Sequence, residues 1–471
     1  MKSDAKRSVL WSGIQNVANQ GIHFIITVII ARLLTPEDYG LIAMLAIFFA
    51  LAQAFIDSGL SGALIQKKNC SEKDYNSVFV FAVVVSMLLY VILFVCAPLI
   101  AKMYNNDLLI PLSRVYLFSL VINAIGIVPM TIMHKDLQFK QFAYITTVIN
   151  LFSGFVAIIA ASCGFAYWAL VFQILITSTL TTIAYFIRTK WKPTFQFSFE
   201  SFKGMISYGF PVMLTSIVHA IYNNIYSLVI GAKYNSKELG LYNRAYSFSS
   251  LVPSTFSNFT MRAMFPVLTK IQDDMEELKK KVLEMLHLSL YVVVPINVYL
   301  MFNCHDVIEI VLGEKWLDLV PYLSVLCVSC LSYIYTNIHM TTFKIIGKTK
   351  NLFVSETARK ILGLATIALT VRYGVMAMVY GLLVYSIVDV IISSVFLNRC
   401  IGIGIKSQLK ESITPVFFSV VSGVGCWLIS TLISSLYIRF LICILIFAGL
   451  YAALSAMFKE QGMVFLKNYF K

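Results

Sequence analysis

Charge is scarce in this chain. Asp, Glu, Lys and Arg make up 13% of 471 residues, against about 25% in an ordinary soluble domain. Hydrophobic residues reach 59%, which excludes a soluble fold. Strand-length alternating segments are missing as well, which excludes an outer-membrane barrel. The nine cysteines form no CxxC pair, and Cys96, Cys163, Cys327, Cys330 and Cys426 lie in or at the edges of apolar runs. That argues against a disulfide framework or a zinc site. There is no phosphate-cradling loop and no metal-ligand spacing, and the sequence does not show a carboxylate pair aimed at one site. No loop is long enough for a nucleotide-binding domain, so the chain does not hydrolyse ATP itself. No catalytic residue, metal ligand or bound cofactor is assigned, and the chain is read as a non-enzyme. A cleavable signal peptide is not evident either. Lys2, Lys6 and Arg7 precede an apolar run too long for an h-region, so the first helix is expected to remain as an anchor.

What is present is a succession of apolar runs. A crossing needs about 20 residues, so short loops leave room for about fourteen. The spans read as 10–34, 41–65, 77–103, 109–133, 141–163, 165–188, 204–231, 240–268, 283–303, 320–346, 352–372, 375–397, 411–435 and 438–458. The net charge of +14 lies mostly in short loops, as in membrane proteins, so nucleic acid is excluded as a partner. Basic residues precede the first span and follow the even-numbered ones, as in Lys67, Lys68 and Lys73, or Lys279, Lys280 and Lys281. The opposite loops hold few, such as Lys102, Lys233, Lys237, Lys315 and Arg372. Both termini are therefore expected to be cytoplasmic.

The first run carries Ser12, Asn16, Asn19, His23 and Thr27 at helical spacing, one polar stripe on one face. Polar groups are costly in hydrocarbon, so the stripe should face protein or water. Ser216, His219, Asn223 and Ser227 lie 200 positions after the last four of these. The segments that follow match at the same offset, ARLLTPEDYGL (Ala31 to Leu41) against GAKYNSKELGL (Gly231 to Leu241). A second register relates Pro111 to Pro321 and Gly164 to Gly374, each 210 residues apart. Since spans one and seven both run outward, the repeat is parallel. The expected organisation is a six-helix half over 1–188, an interfacial linker over 189–203, a second six-helix half over 204–400, and a C-terminal helix pair with a basic tail over 401–471.

Ionisable residues inside spans mark candidate sites, because they are expensive in lipid. They are His23, Asp57, Arg114, His219, Arg244, Arg262, Arg359, Lys360 and Asp389. Arg262, Arg359 and Lys360 also fit snorkelling to headgroups. Asp57 fits a cap for a helix break in FIDSGLSGALIQ as well as proton handling. Tyr222, Asn223, Asn224 and Tyr226, then Tyr242, Asn243, Arg244 and Tyr246, gather aromatic and amide groups of the kind that meet sugars or pack membrane helices. IQDDMEELKKKVLEML reads as a short cytoplasmic amphipathic helix with acids at its start. HDVIEIVLGEKWLDLVP (His305 to Pro321) reads as an outside surface helix and turn.

Several motifs carry a family resemblance. PEDYGLIAML (Pro36 to Leu45), FIDSGLSGALIQKKN (Phe55 to Asn69), DYNSVF (Asp74 to Phe79), GLYNRA (Gly240 to Ala245), FPVLTKIQDD (Phe265 to Asp274), EKWLDLVPYL (Glu314 to Leu323) and QLKESITP (Gln408 to Pro415) resemble the bacterial polysaccharide exporters. These O-antigen-flippase-like proteins belong to the multidrug/oligosaccharidyl-lipid/polysaccharide exporter superfamily. The resemblance covers nearly the whole chain in order. It implies an all-α fold of two six-helix bundles forming a V around a central cavity, with two further helices, in the bacterial inner membrane. It also implies a cargo, an undecaprenyl-diphosphate-linked oligosaccharide, flipped by alternating access during O-antigen, capsule or exopolysaccharide synthesis. Drive by H+ or Na+ is proposed for parts of the superfamily. A polysaccharide polymerase and glycosyltransferases would be its pathway partners.

On this reading Arg114, Arg244 and Arg262 attract the diphosphate. The stripe from Asn16 through Asn19 and His23, with Ser216, His219 and Asn223, hydrates the glycan. Asp57 and Asp389 are the candidates for cation or proton coupling. Two rivals are a drug or small-molecule antiporter of the same superfamily and a membrane polysaccharide polymerase. The first calls for carboxylates grouped in one half, and Asp57 and Asp389 fall in different halves. The second calls for a large outside loop, and the longest, roughly 303–319, is small.

Overall fold

The computed structural model describes residues 20–22, 24–458, 460, 462 and 463, and among them it is helical with no strand. The long helices are α1 (Gln20–Leu33), α2 (Pro36–Gln66), α3 (Glu72–Tyr104), α4 (Leu109–Lys135), α5 (Phe139–Ser162), α6 (Trp168–Thr189) and α7 (Phe199–Lys233). They continue with α8 (Ser236–Lys270), α9 (Met275–Phe302), α10 (Glu314–Ile345), α11 (Thr349–Thr370), α12 (Val375–Ile401), α13 (Ile405–Ser430) and α14 (Leu436–Met457). Eleven of them are long and apolar enough to cross a membrane. The described part of α1 is shorter, α8 is punctuated by polar side chains, and α11 carries Lys350, Glu356, Arg359 and Lys360.

Contacts divide the chain into two compact units, Met1–Gly240 and Leu241–Lys471. In the first, Ile26 and Ile30 of α1, with Leu34 just after it, pack on Ala157, Ala160 and Ala161 of α5 and on Ala169 and Leu170 of α6. Helix α7 lies along α2, so the first helix after the 189–203 linker packs with the first unit. The linker itself is strapped to the start of α3. Thr194 N–H donates to Asn76 Oδ1 at 2.8 Å, Ser198 N–H to Ser77 Oγ at 2.9 Å, and Trp191 Nε1 to Glu72 Oε2 at 3.1 Å. The first two satisfy backbone donors that an extended segment would otherwise leave open, and the third fixes the Trp191 indole.

The two ends of the matching segments meet. Helix α2 starts with a capping box in which Asp38 N–H donates to Thr35 Oγ1 at 3.3 Å and Thr35 N–H to Asp38 Oδ2 at 2.9 Å. At the positions 200 later, helix α8 shows the first of these two bonds, Glu238 N–H donating to Asn235 Oδ1 at 2.8 Å. The first turns of α2 and α8 cross backbone to backbone. A methyl group on Gly40 would overlap the carbonyl of Ser236, and one on Gly240 would overlap the carbonyl of Pro36. The two contacts are reciprocal at the 200-residue offset, the pattern of a local two-fold crossing. The other paired glycines make the expected turns, Gly164 with φ +86° and Gly374 with φ +102°.

In the second unit α9 is central. Its Leu286, Leu290, Val293 and Val294 pack with Ile334 and Ile338 of α10, Leu397 of α12, Cys426 of α13 and Phe447 of α14. The expected separate amphipathic helix before span nine does not exist as such. Asp274 caps a single helix that runs on to Phe302, accepting from Glu276 N–H at 3.2 Å and Glu277 N–H at 3.1 Å. The reason is continuity of the apolar face, since Leu278, Val282 and Met285 are buried and no breaker separates them from Leu286. The segment before α10 does form a short helix (Cys304–Val311) and a 3-10 turn (Glu314–Leu319). Asp306 there accepts two bonds of 2.6 Å from the Arg439 guanidinium, fastening α14 to the unit.

Gly40→Ala and Gly240→Ala should each lower the melting temperature of the purified protein, because overpacking costs about 1–3 kcal/mol even where side chains can yield and here the obstacle is backbone. An unchanged melting temperature for both would contradict the close crossing.

Candidate functional site

Helix α7 is the least buried of the candidate spans. Ser198 opens it, its Oγ accepting from Ser201 N–H at 3.4 Å. Near its middle Ser216 is half-buried, while His219 and Asn223 are exposed on the same face, four residues apart. Leu214, Val218 and Ile221 are exposed beside them. The aromatic and amide cluster expected at this place divides in two. Asn224 turns back on its own helix, donating to Ala220 O at 2.8 Å, and Tyr222 and Tyr226 are half-buried. Among the described residues, His219 and Asn223 therefore present an exposed polar edge of a helix that is otherwise apolar enough for a bilayer.

The matching residues of the first run, Asn16, Asn19 and His23, lie outside the described residues, as does the side chain of Arg262. Arg114 sits in α4 with its guanidinium over the Phe94 ring, 4.4 Å from the centroid. Val91 and Val95 are exposed on the same stretch of α3. Arg244 is half-buried in α8, in the turn between the stacked rings of Tyr242 and Tyr246, whose centroids are 6.2 Å apart.

The two carboxylates have local partners. Asp57 closes the main stretch of α2 before a left-handed break at Ser58 and Gly59, and accepts from Ser61 Oγ at 2.6 Å. Asp389 of α12 is buried and lies 3.2 Å from the Arg359 guanidinium of α11. Arg359 is thus a buried partner and does not reach outward to headgroups. The Gly374 turn makes α11 and α12 antiparallel neighbours, and the two residues lie at similar separations from it on either side.

Beside this pair is a network that the sequence does not single out. His339 of α10 is buried, with Nδ1 at 2.9 Å from Ser393 Oγ and Nε2 at 3.0 Å from Gln408 Oε1. Ser394 Oγ donates to the same amide oxygen at 3.1 Å, and Tyr335 Oη lies 2.6 Å from Ser412 Oγ. Gln408 and Ser412 belong to the QLKESITP motif, the one signal that pointed here. A second unforeseen cluster places His287 between Glu411, 3.1 Å from Nδ1, and Glu460. Among the described residues no three His, Cys, Asp or Glu side chains gather in a way that could hold a metal ion. In sum, one unit offers a polar edge on an exposed spanning helix, and the other ties its buried charges and amides to one another.

A family model described as "Polysaccharide biosynthesis protein" matches residues 29–321. The chain is 27% identical to the lipopolysaccharide biosynthesis protein WzxC of Escherichia coli (strain K12), over 68% of this chain and 65% of that one. It is 23% identical to the teichuronic acid biosynthesis protein TuaB of Bacillus subtilis (strain 168), over 88% of this chain and 86% of that one. Among solved structures, the lipid II flippase MurJ in an inward closed conformation matches with a TM-score of 0.79 at 20% identity, over 96% of this chain and 98% of that chain. A multidrug resistance MATE family transporter of the MOP superfamily, inward-facing, matches with a TM-score of 0.63 at 16% identity, over 81% of this chain and 95% of that chain.

Arg359→Ala alone should destabilise the protein by about 3–5 kcal/mol, since it strands a buried carboxylate. The double change Arg359→Met with Asp389→Leu should recover most of that loss in thermal unfolding. A double variant no more stable than the single one would contradict the pairing.

Proposed function

Because the chain belongs to the polysaccharide biosynthesis protein family, we propose that it is a flippase that moves lipid-linked oligosaccharide units across the bacterial inner membrane. The observation that carries this reading is the polar edge of α7. A spanning helix that leaves His219 and Asn223 exposed must set them against water or a hydrophilic cargo, because hydrocarbon would make both costly. The edge is built from an imidazole and an amide, with no carboxylate, Lys or Arg, which suits hydroxyl groups better than a metal ion or a strongly charged drug.

In this reading the saccharide travels along that edge and along its counterpart at Asn16, Asn19 and His23, while the polyprenyl chain stays in lipid. Arg114, Arg244 and Arg262 draw the diphosphate. Both termini are cytoplasmic, and the protein opens alternately to the two sides. The local partners of Asp57 and Asp389 give neither an unshared carboxylate, so coupling to H+ or Na+ through them would require those bonds to open. The undecaprenyl-diphosphate carrier, the polymerase and the glycosyltransferases enter as the chemistry that such a flippase must connect.

Deletion of the gene should abolish the surface polymer and make lipid-linked saccharide accumulate, as read by mass spectrometry of extracted lipids. His219→Ala with Asn223→Ala should lower polymer several-fold at equal protein level, whereas Ile221→Ala on the same exposed stretch should leave it close to wild type. Normal polymer in the deletion strain would overturn the proposal, and normal polymer in the double variant would overturn the role of the α7 edge.

A further inference from the structure

A cleft of about 550 Å³ opens inside the first unit, far along α7 from the His219 and Asn223 edge. Gln66 and Lys67 at the end of α2 form one wall, and Glu200, Ser201 and Tyr208 in the first turns of α7 form the other, with Met205 at the base. Its volume falls within the range of about 300–1,000 Å³ usual for small-molecule sites. The Tyr208 ring lies along the last turns of α2, its Cε1 3.5 Å from where a Cβ of Gly62 would stand, yet 42% of the residue remains exposed. Behind the α2 wall, Lys135 Nζ donates to the carbonyls of Leu64 at 3.0 Å and Lys67 at 2.7 Å, which satisfies the free carbonyl end of that helix.

The chemistry of the lining narrows the occupant. The one cation, Lys67, is already paired with the buried Asp74 at 2.7 Å, and Glu200 adds a negative charge, so the cleft does not favour a phosphate. Four polar side chains make it a poor place for an acyl chain. An aromatic face beside the Gln66 amide and the Glu200 carboxylate, with the Ser201 hydroxyl turned to Asp74, offers a flat apolar surface, donors and acceptors together. That combination matches a neutral pyranose, whose ring hydrogens make one apolar face and whose hydroxyls need partners around the edge. We infer that this cleft is a separate saccharide-binding site, which receives a sugar residue of the lipid-linked unit before it reaches the α7 edge. The inference rests on the proposed flippase function and deepens it. The cleft lies beside Lys67 and Lys68, on the side where the charge pattern places the cytoplasm, so it stands where the newly made unit would arrive.

The test uses the full chain with Gln66→Cys or Ser201→Cys, in inside-out inner-membrane vesicles labelled with a membrane-impermeant maleimide, with the labelling of the chain's own cysteines (Cys70 and Cys163 among them) measured in parallel and subtracted. Vesicles come from cells that make the lipid-linked saccharide and from cells lacking the enzyme that loads the first sugar phosphate onto the lipid. Labelling after denaturation normalises for protein amount. Both positions should label several-fold more slowly when the saccharide is present. Adding Tyr208→Ala should remove that protection, and Tyr208→Phe should retain it. Equal labelling with and without saccharide, in cells that still export polymer, would overturn the cleft as a sugar site and leave the flippase reading standing. Protection that survives Tyr208→Ala would likewise overturn it. If deletion of the gene leaves polymer and lipid-linked saccharide unchanged, it is the flippase reading that fails.

Discussion

A polar group in hydrocarbon must find a partner or water, and nearly every feature of this protein follows from that constraint. Most hydroxyls in the spans meet it locally by donating back along their own helix, as Thr131 does to Ile127 O at 2.7 Å and Ser289 to Met285 O at 2.7 Å. Longer side chains meet it by tying helices together. Asn297 of α9 donates to Ser249 O of α8 at 3.1 Å and to Cys327 O of α10 at 3.0 Å, joining three helices at one buried amide. Arg359 and Asp389 neutralise each other, and His339 and Gln408 share the hydroxyls around them. Against this background the exposed His219 and Asn223 stand out, because the same rule that satisfies the others leaves these two for water or for cargo.

The reciprocal crossing of α2 and α8 gives the 200-residue sequence match a physical meaning. Matching segments that begin with an N-cap and an acid three residues later fold into matching helix starts. Glycine at the fifth position of each helix then lets the two starts touch through their backbones. Neither glycine is needed for a turn. Each is needed because the other segment's carbonyl occupies the space where a side chain would be.

Much of this was legible in the chain because bilayer physics writes itself into sequence over long windows. The spans follow from runs of about 20 apolar residues, the turn at Gly374 from a lone glycine between two runs, and the break in α2 from Asp57, Ser58 and Gly59. What was not legible depends on how each helix is rotated about its axis and which neighbour it meets. Nothing in LSYIYTNIHM says that His339 will face Ser393 and Gln408, whose helices come much later. Arg359 read equally well as a headgroup anchor, and only the antiparallel pairing of α11 with α12 brings it to Asp389. The start of α9 was misread for a different reason. Its charges suggested a surface helix, while Leu278, Val282 and Met285 were already extending the buried face.

The central claim is that this chain carries a lipid-linked saccharide across a bilayer. It is tested most directly by reconstituting the purified protein in vesicles that contain an undecaprenyl-diphosphate-linked saccharide. An impermeant glycosidase added outside then reports how much of the saccharide faces outward over time. The account predicts that the sugar on the inner leaflet becomes cleavable at a rate set by the protein, and much more slowly with His219→Ala and Asn223→Ala. An inner pool that stays protected at the protein-free rate, under every ion gradient applied, would contradict it.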